Sequence, residues 1–506
     1  MGALVTITPP AGVVQNGTPY SAKGRFVDSD LVRFNNSHLE PIGGWNRINT
    51  TAFGGGDNKA ILAYRDNDAK DVLAVANATQ VHVFRDGSFF NVTPTGFVGD
   101  TSAGQTLLGW GAANYGEEAY GTARSTSGIK RTAFNTHLDT FGDHLLVCTN
   151  SDGRIYRYRP DAGSGAPDTT LQVLPNAPVN NIGVAVTNQR AVIALGAGGN
   201  PRVVAFSDQE DAETWTPTST NLAGSITLQT SGSIIGAKRY RNDLLIFTDQ
   251  DVHRMYYVGA PLGYGVEKVG DGCGAISPRS IVSTSNFVSW IGANTPFIYD
   301  GAVRPLKSDV SDFLYNNLNR DYSELVAGGN NAEFNEVWWF FPIGENQYNT
   351  KYITWNYSEN LWAVGELDRQ SWVDAPVFGK PVAADNNGNV FVQETGTLAN
   401  AFNIGSRTPF AKSSPLEISQ GDRIAYVSRL YPDEESNVAG AVSFAFSGKP
   451  NPLGAEQDFG EFQIDADGYT DCRFSARQVQ ITVNGVTDRN WKLVAVRAEI
   501  AVRGRS

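Results

Sequence analysis

Cysteine and histidine are scarce in this sequence: three and five, respectively, among 506 residues. Cys148, Cys273 and Cys472 are far apart and odd in number, so they offer neither a disulfide framework nor a CxxC metal-binding pair. The histidines lack the i, i+4 spacing with which one helix face holds zinc. These shortages argue against a disulfide-stabilised secreted class and favour synthesis in a reducing compartment.

Long apolar runs are also missing. No stretch of about 18 apolar residues is present, so we expect no membrane-spanning helix. Residues 1–10 lack the basic region and apolar core of a signal peptide. The sequence contains no GxSxG elbow, no Walker lysine loop and no GxGxxG opening a helix, which removes the common signals for hydrolases and nucleotide-binding enzymes.

Positive charge is in short supply. The formal net charge is −12, with 40 Lys and Arg residues against 52 Asp and Glu residues. Proteins that grip nucleic acid need clustered basic residues to neutralise phosphates. The balance therefore argues against such a protein, although it allows a surface past which DNA slides without sticking.

What the sequence does have is a repeated hairpin pattern. A short apolar run leads into a turn of Asn, Asp or Gly, and a second run rich in Tyr, Phe and Val follows. The clearest copy is at residues 143–159, and 53 glycines supply the turns. In chain order, hairpins of this kind are predicted at residues 72–84, 145–158, 191–206, 244–257, 287–299, 337–355 and 382–392.

From residue 145 onward these hairpins begin 43 to 53 residues apart, which suits the four-stranded blades of a β-propeller. A first hairpin candidate at residues 30–45 and the one at 382–392 lie at opposite ends of the array. Pairing them into one blade would leave no open sheet edge. The sequence thus predicts an all-β fold, a β-propeller of six or seven blades closed by the N-terminal segment.

The predicted organisation has three parts. Residues 1–25 form an extended N-terminal arm, and residues 26–408 form the propeller with a Gly-rich insertion at about 95–136. Residues 409–506 form an additional C-terminal antiparallel β domain, a sheet or small sandwich. Helix is expected mainly at residues 308–325, where Val310, Phe313, Leu314 and Leu318 share one face.

Three oxygen-rich segments raise the alternative of structural calcium: residues 66–71, 150–153 and 385–388. All three lie between strands, where turn geometry alone favours Asp, Asn and Gly, and none has the full acidic spacing of a calcium loop. We assign no catalytic, cofactor-binding or metal-ligating residues and predict that the chain is not an enzyme and needs no cofactor.

Aromatic residues raise the alternative of sugar binding, with residues 338–341 (WWFF) and the segment from Trp355 to Trp362 as a platform. Their position within a strand pair favours blade core instead. Residues 207–215 resemble a sialidase Asp-box poorly, because Ala212 replaces its glycine and the motif is not repeated.

Several weak motifs, taken in order, resemble short-tailed bacteriophage tail proteins, specifically the nozzle or hub component, also called the DNA-stabilisation or tubular tail protein. The resemblance spans nearly the whole chain. Its residues are 17–20 (GTPY), 28–34 (DSDLVRF), 41–45 (PIGGW), 109–111 (GWG), 115–116 (YG), 206–208 (FSD) with Trp215, 355–357 (WNY) with Trp362, 476–480 (ARQVQ) with Trp491, and the tail 497–505.

This resemblance implies a structural virion protein, made in the bacterial host cytoplasm, that forms a homohexameric ring at the distal end of the tail. The ring would attach to a tail adaptor protein, with tail fibres or a tail needle as possible partners, and would contact the host envelope. Double-stranded DNA would be retained and then ejected through its channel without sequence-specific binding. The −12 charge agrees with an acidic lumen that repels phosphates.

A ring needs different patches on opposite sides of each subunit. The candidates are the Gly-rich loop at residues 104–121 and the C-terminal sheet, whose charge is divided. Residues 415–470 have three basic and ten acidic side chains, whereas residues 471–506 have seven basic and three acidic ones. The alternative to the nozzle is a glycan-binding or glycan-cleaving propeller acting at a host cell surface; cleavage would need convergent carboxylates in the central funnel.

Overall fold

The computed structural model describes residues 3–99, 133–162, 165–417, 423–435, 440–449, 454–465 and 467–502, together with the backbone of a two-stranded pair, Gln105–Leu107 and Ile129–Arg131. Most of the predicted Gly-rich insertion, including the proposed interface loop, lies outside these residues. One α-helix, Ser311–Asn317, forms within the predicted helical segment and is followed by a 3-10 helix, Arg320–Leu325. None of the helices in the described ranges has the length and apolar composition that a membrane span requires.

Seven four-stranded antiparallel sheets form the described propeller, and we number them as blades in chain order. Strands are given from the innermost to the outermost. Blade 1 comprises Asn58–Arg65, Asp71–Asn77, Val81–Arg85 and Ser88–Asn91. Blade 2 comprises Thr136–Phe141, His144–Thr149, Ile155–Tyr158 and Gln172–Val173. Blade 3 comprises Gly183–Val186, Val192–Leu195, Val203–Phe206 and Gly224–Thr227.

The other four blades follow the same pattern. Blade 4 comprises Ile234–Tyr240, Asp243–Thr248, Asp251–Gly259 and Gly263–Asp271. Blade 5 comprises Val282–Ser283, Val288–Ile291, Pro296–Tyr299 and Val303–Pro305. Blade 6 comprises Ala327–Asn331, Glu336–Phe341, Lys351–Asn356 and Leu361–Glu366. Blade 7 comprises Ser371–Val373, Val382–Ala384, Val390–Val392 and Asn46–Arg47.

The propeller prediction is confirmed, and the blade number that the sequence left open is seven. Each of the seven hairpins predicted between residues 72 and 392 forms the second and third strands of one blade. These strands are buried on both faces, which explains their nearly continuous apolar character.

The hydrophobic core is divided among the seams between neighbouring blades. Successive side chains of a strand point to opposite faces of its sheet, so one strand contributes to two seams. In blade 2, Leu145 and Val147 pack against blade 1, whereas Leu146 and Cys148 pack against blade 3. The innermost strands contact one another in cyclic order, and that of blade 7 contacts that of blade 1.

A β-sandwich lies beside blade 6. Its first sheet contains Val32–Asn35, His38–Pro41, Lys492–Val502, Ala425–Glu435 and Thr470–Ala476 in that order, and Ala3–Thr6 pairs with Lys492–Val502. Its second sheet contains Phe26–Asp30, Phe410–Ser413, Gln478–Gly485, Val442–Lys449 and Gln457–Gln463, and Leu416–Glu417 pairs with Gln478–Gly485. Strict alternation of burial along Val442–Lys449 and Thr470–Ala476 turns one face of each sheet inward.

The N-terminal segment differs from its prediction. The hairpin at residues 30–45 does form, as Val32–Asn35 and His38–Pro41, but it pairs with Lys492–Val502 of the sandwich and not with blade 7. The two residues after it, Asn46–Arg47, pair with blade 7 instead. Residues 26–41, which the sequence assigned to the propeller, therefore extend the two sandwich sheets, and Phe26, Val32, Phe34 and Leu39 bury their side chains in the shared core.

Candidate functional site

Four of the segments that carry the sequence resemblance, residues 17–20, 28–34, 41–45 and 355–357 with Trp362, meet at one place, where the N-terminal segment lies between the sandwich and blade 6. We call this place the junction and define it by residues 13–45 and their partners in residues 308–312, 336–366 and 394–407. One continuous hydrophobic core runs through it from Phe26 and Phe34 to Trp339, Trp355 and Trp362.

At the centre of the junction is a buried ionic network around Arg33. Its Nε donates to Glu336 Oε1 at 3.1 Å, and its Nη1 donates to Glu394 Oε2 at 3.1 Å. The guanidinium carbon lies 3.5 Å from the ring centroid of Phe334. Backbone N–H of Gly43 donates to Glu394 at 2.9 Å, so the network joins the sandwich hairpin to blades 6 and 7.

The charges in this network are unequal, since Glu336 and Glu394, with Glu40 nearby, face one guanidinium. Burial disfavours the charged form of Arg33, but Glu336 and Glu394 outweigh burial and raise its pKa above the usual value. Burial raises the pKa of Glu336 to about 7, although Arg33 and the Nε1–H of Trp338, 3.0 Å away, act in the opposite direction.

Residues 28–31 (DSDL), which belong to the resemblance, form hydrogen bonds with the outer strand of blade 6. Ser29 Oγ donates to the carbonyl oxygen of Val364 at 2.7 Å, and the backbone N–H of Glu366 donates to Asp30 Oδ1 at 2.8 Å. The backbone N–H of Leu31 donates to Tyr352 Oη at 3.0 Å. Side chains and backbone of residues 29–31 thus cover what would otherwise be an open sheet edge.

The first motif, residues 17–20, lies at the start of the α-helix. The backbone N–H of Gly17 donates to Asp312 Oδ2 at 2.9 Å, and the backbone N–H of Asp312 donates to Asn16 Oδ1 at 3.0 Å. Nearby, the backbone N–H of Val13 donates to the carbonyl oxygen of Trp362 at 2.7 Å. The predicted extended arm is therefore attached along its length.

The remaining motifs lie elsewhere. Trp491 is buried in the sandwich, where its ring lies against Gly485. Trp215 lies in the loop between the third and fourth strands of blade 3, and its Nε1–H donates to the carbonyl oxygen of Ala212 at 2.8 Å. The motifs at residues 109–111 and 115–116 are outside the described residues.

The second feature of interest is the central channel of the propeller, a cavity of about 360 Å³ lined by the innermost strands of all seven blades. Two large rings pack against glycines of a neighbouring blade's innermost strand. The ring of His137 lies over Gly183, and that of Trp372 lies over Gly329; a Cβ added at either glycine would come within 2.6 Å or less of the ring.

The channel is basic, in contrast to the protein as a whole. Its lining side chains include Lys59, Lys238, Arg239 and Arg279 and one carboxylate, that of Asp139, while Lys59 also pairs with Asp57, which is not among the lining residues. Burial lowers the pKa of Arg279 to about 10, and burial together with Lys238 lowers that of His137 to about 4.

The three calcium alternatives are turns closed by protein groups. Asp66 accepts from Arg85 Nε at 2.9 Å, Asp152 accepts from the hydroxyl of Tyr156 at 2.6 Å, and Asp385 accepts from Asn389 Nδ2 at 2.8 Å. Within the described ranges, no three His, Cys, Asp or Glu residues are grouped so that they could hold a metal ion.

The sugar-platform alternative is wrong for residues 338–341. Trp338 and Phe340 pack against blade 7, while Trp339 and Phe341 face the seam toward blade 5 and the sandwich. All four are at most 1% exposed, so no ring face is open to a sugar. Glycan cleavage would need two carboxylates in the funnel, whereas Asp139 is the one carboxylate among the described lining residues.

Sequence reasoning missed both the Arg33 network and the basic channel. In residues 30–34, Arg33 alternates with Val32 and Phe34 and so looks like a solvent-facing residue. The sequence did contain one indication of the network. Glu336 directly precedes an apolar run that is predicted to be buried, and a carboxylate buried with that run would need a positively charged partner.

No protein-family model matches the chain, and neither does any curated protein. The WD40 domain of Neurospora crassa Pan2 is similar in structure, with 9% identity and a TM-score of 0.39 over 69% of this chain and 95% of that one. A virginiamycin B lyase from Staphylococcus aureus has 10% identity and a TM-score of 0.33 over 56% of this chain and 92% of that one.

A copper-containing fungal alcohol oxidase of the AA5 family has 11% identity and a TM-score of 0.36 over 99% of this chain and 98% of that one. At such identities and scores these similarities have no bearing on what the chain does. The propeller assignment depends on the strand pairing of the chain itself.

Proposed function

We propose that this chain is a structural subunit of the tail nozzle or hub of a short-tailed bacteriophage, in which a ring of six copies retains packaged DNA and conducts it during ejection. The observation that supports it most is the junction. Residues 13–45 and 355–362, which carry much of the resemblance, are used there to join a seven-bladed propeller to a sandwich through apolar packing, hydrogen bonds and a buried ion-pair network.

The dimensions of the channel bear on how such a protein would conduct DNA. A cavity of about 360 Å³ is in the size range of a small-molecule pocket. It is far too small for a DNA duplex. A DNA conduit built from this chain would therefore have to lie between subunits, as in a ring.

The outer hairpin of blade 4 offers a surface for contact between subunits. Its strands, Asp251–Gly259 and Gly263–Asp271, are nine residues each, whereas the third strands of blades 2, 3 and 5 have four. No charged residue occurs from 255 to 266, and Leu262 at the tip is 73% exposed. Exposed apolar tips of this kind commonly mark protein contacts.

Mass measurement in solution tests the proposal. We expect the chain to assemble into a closed ring of six, alone or when mixed with the tail adaptor of the same phage. Leu262→Asp should weaken assembly, whereas Val173→Asp, at an exposed position on blade 2, serves as a matched control. A particle that stays monomeric in both settings would contradict the proposal.

A further inference from the structure

Lys238 in the central channel has no counter-ion of its own. It lies on the innermost strand of blade 4, and its side chain is exposed to the channel. It forms no hydrogen bond or ion pair with any residue in the described part of the chain. The protein around the channel partly desolvates the ammonium, which lowers the pKa of Lys238, although Asp139 acts in the opposite direction.

The nearest carboxylate, that of Asp139, is already engaged. It forms an ion pair with Arg239, and it accepts the backbone N–H groups of Thr140 and Val186, each at 2.8 Å. Its attraction for Lys238 is opposed by the adjacent guanidinium of Arg239. This end of the channel therefore holds two cations and one anion, and the anion is fully hydrogen-bonded.

The imidazole of His137 is the third polar group here. A Cβ added at Gly236, two residues before Lys238 on the same strand, would lie 3.5 Å from the His137 Cε1, so the ring reaches the strand of Lys238. With a pKa of about 4 the ring is neutral at pH 7, so it has one donor and one acceptor nitrogen. A neutral histidine beside a cation can donate to an anionic oxygen without adding charge.

The cavity volume limits what can bind. About 360 Å³ accommodates an anion of a few heavy atoms with several waters, but it excludes a nucleic-acid duplex or a folded partner. Lys59 and Arg239 are paired with Asp57 and Asp139, which leaves Lys238 and Arg279 as the excess cations of the channel, even though the net charge of the protein is −12.

We propose that the central channel binds a small oxyanion of phosphate size, paired with Lys238, supported by Arg239 and hydrogen-bonded by His137. The anion supplies the counter-charge that Asp139 does not provide. This proposal does not depend on the phage assignment, because it follows from the channel of a single chain.

Titration calorimetry of the full chain with inorganic phosphate, at constant ionic strength, tests this site. We expect saturable binding that Lys238→Gln weakens by about tenfold or more, which corresponds to ~1.4 kcal/mol. Lys238→Arg keeps the charge and should retain binding. Lys380→Gln is the matched control, because Lys380 is an exposed lysine that pairs with Glu333 at 2.7 Å, and it should change the affinity less than twofold.

A second readout follows His137 directly in protein labelled with ¹³C-histidine, with its signal assigned from His137→Gln. Bound phosphate should raise the pKa of His137 from about 4, and Lys238→Gln should remove the dependence on phosphate. The same titration with malonate distinguishes a site that binds phosphate-shaped ligands from one that binds carboxylates. The proposal is overturned if millimolar phosphate does not bind, or if Lys380→Gln and Lys238→Gln reduce binding equally.

Discussion

Arg33 and Glu336 form an ion pair across the junction, with 3.1 Å between Nε and Oε1, and each side chain is 2% exposed. Arg33 belongs to the sandwich hairpin and Glu336 to the second strand of blade 6. The pair therefore joins two parts of the fold that are distant in sequence, and neither charge can turn to solvent if the other is removed.

Arg33→Met should lower the free energy of unfolding by about 3 to 5 kcal/mol, because it leaves buried carboxylates without their guanidinium. Arg65→Met is the control, since Arg65 and its partner Asp71 are largely exposed, and it should cost less than about 1 kcal/mol. Chemical denaturation of the two variants measures the difference. Equal midpoints would show that the network does not stabilise the junction.

Glu336 should make stability depend on pH in a defined window. Its pKa is raised in the folded protein to about 7 from an ordinary value of 4.5. The folded state therefore holds the proton more tightly, so this contribution is full below pH 4.5 and is lost as pH rises to 7. By this linkage the loss is at most about 3 kcal/mol.

The comparison of wild type with Glu336→Gln isolates this carboxyl from other titrating groups. Denaturation at pH 4.5, 5.5, 6.5 and 7.5 should show a smaller decline for the variant. Parallel stability curves for the two proteins would mean that Glu336 does not titrate in this range.

The outer strand of blade 7 should contribute to the stability of the propeller. The backbone N–H of Ile48, next to Asn46–Arg47, donates to the carbonyl oxygen of Val390 at 2.9 Å. Ile48→Pro removes this donor and should cost about 1 to 3 kcal/mol. Ile48→Val keeps the N–H and the β-branched shape, so thermal unfolding should separate the two; identical curves would show that this pairing does not matter for stability.

The packing of the His137 ring against Gly183 should not tolerate a larger residue at position 183. An alanine Cβ at position 183 would lie 2.6 Å from His137 Cγ, so Gly183→Ala should cost about 1 to 3 kcal/mol through overpacking. Gly54→Ala is the control, because its nearest neighbour is a Gln80 side-chain oxygen at 3.6 Å.

Combining Gly183→Ala with His137→Ala tests the contact itself. The double variant should be less destabilised than the sum of the single variants, by about 0.5 to 3 kcal/mol. Additive losses in denaturation experiments would indicate that the two residues do not interact.

The blade hairpins could be predicted from the sequence because their information is local. At residues 145–158, apolar runs, turn residues and strand lengths lie within 14 residues, and the structure forms this hairpin with Leu145 opposite Tyr158. The partner of the hairpin at residues 30–45 could not be predicted in this way. Its contact is Leu39 with Leu493, and its alternating pattern suits an edge strand of either sheet equally well.

Long-range charge pairing limited the prediction of the candidate site for a similar reason. Arg33 finds its partners 303 and 361 residues further along the chain. Lys238 lies on a strand whose exposed positions look like ordinary surface until the seven blades surround them. Only the cyclic order of the blades turns that position into a channel.

Imaging of tagged virions tests most directly whether this chain is part of a phage tail nozzle. A gold-binding tag suits the turn at residues 344–348, where a Cβ at Gly344 would meet no atom within 4 Å and Tyr348 is exposed. Electron microscopy of purified virions carrying the tagged chain should show label in a ring of six at the distal end of the tail. Label on the capsid alone, or tagged chain absent from the particles, would contradict the account.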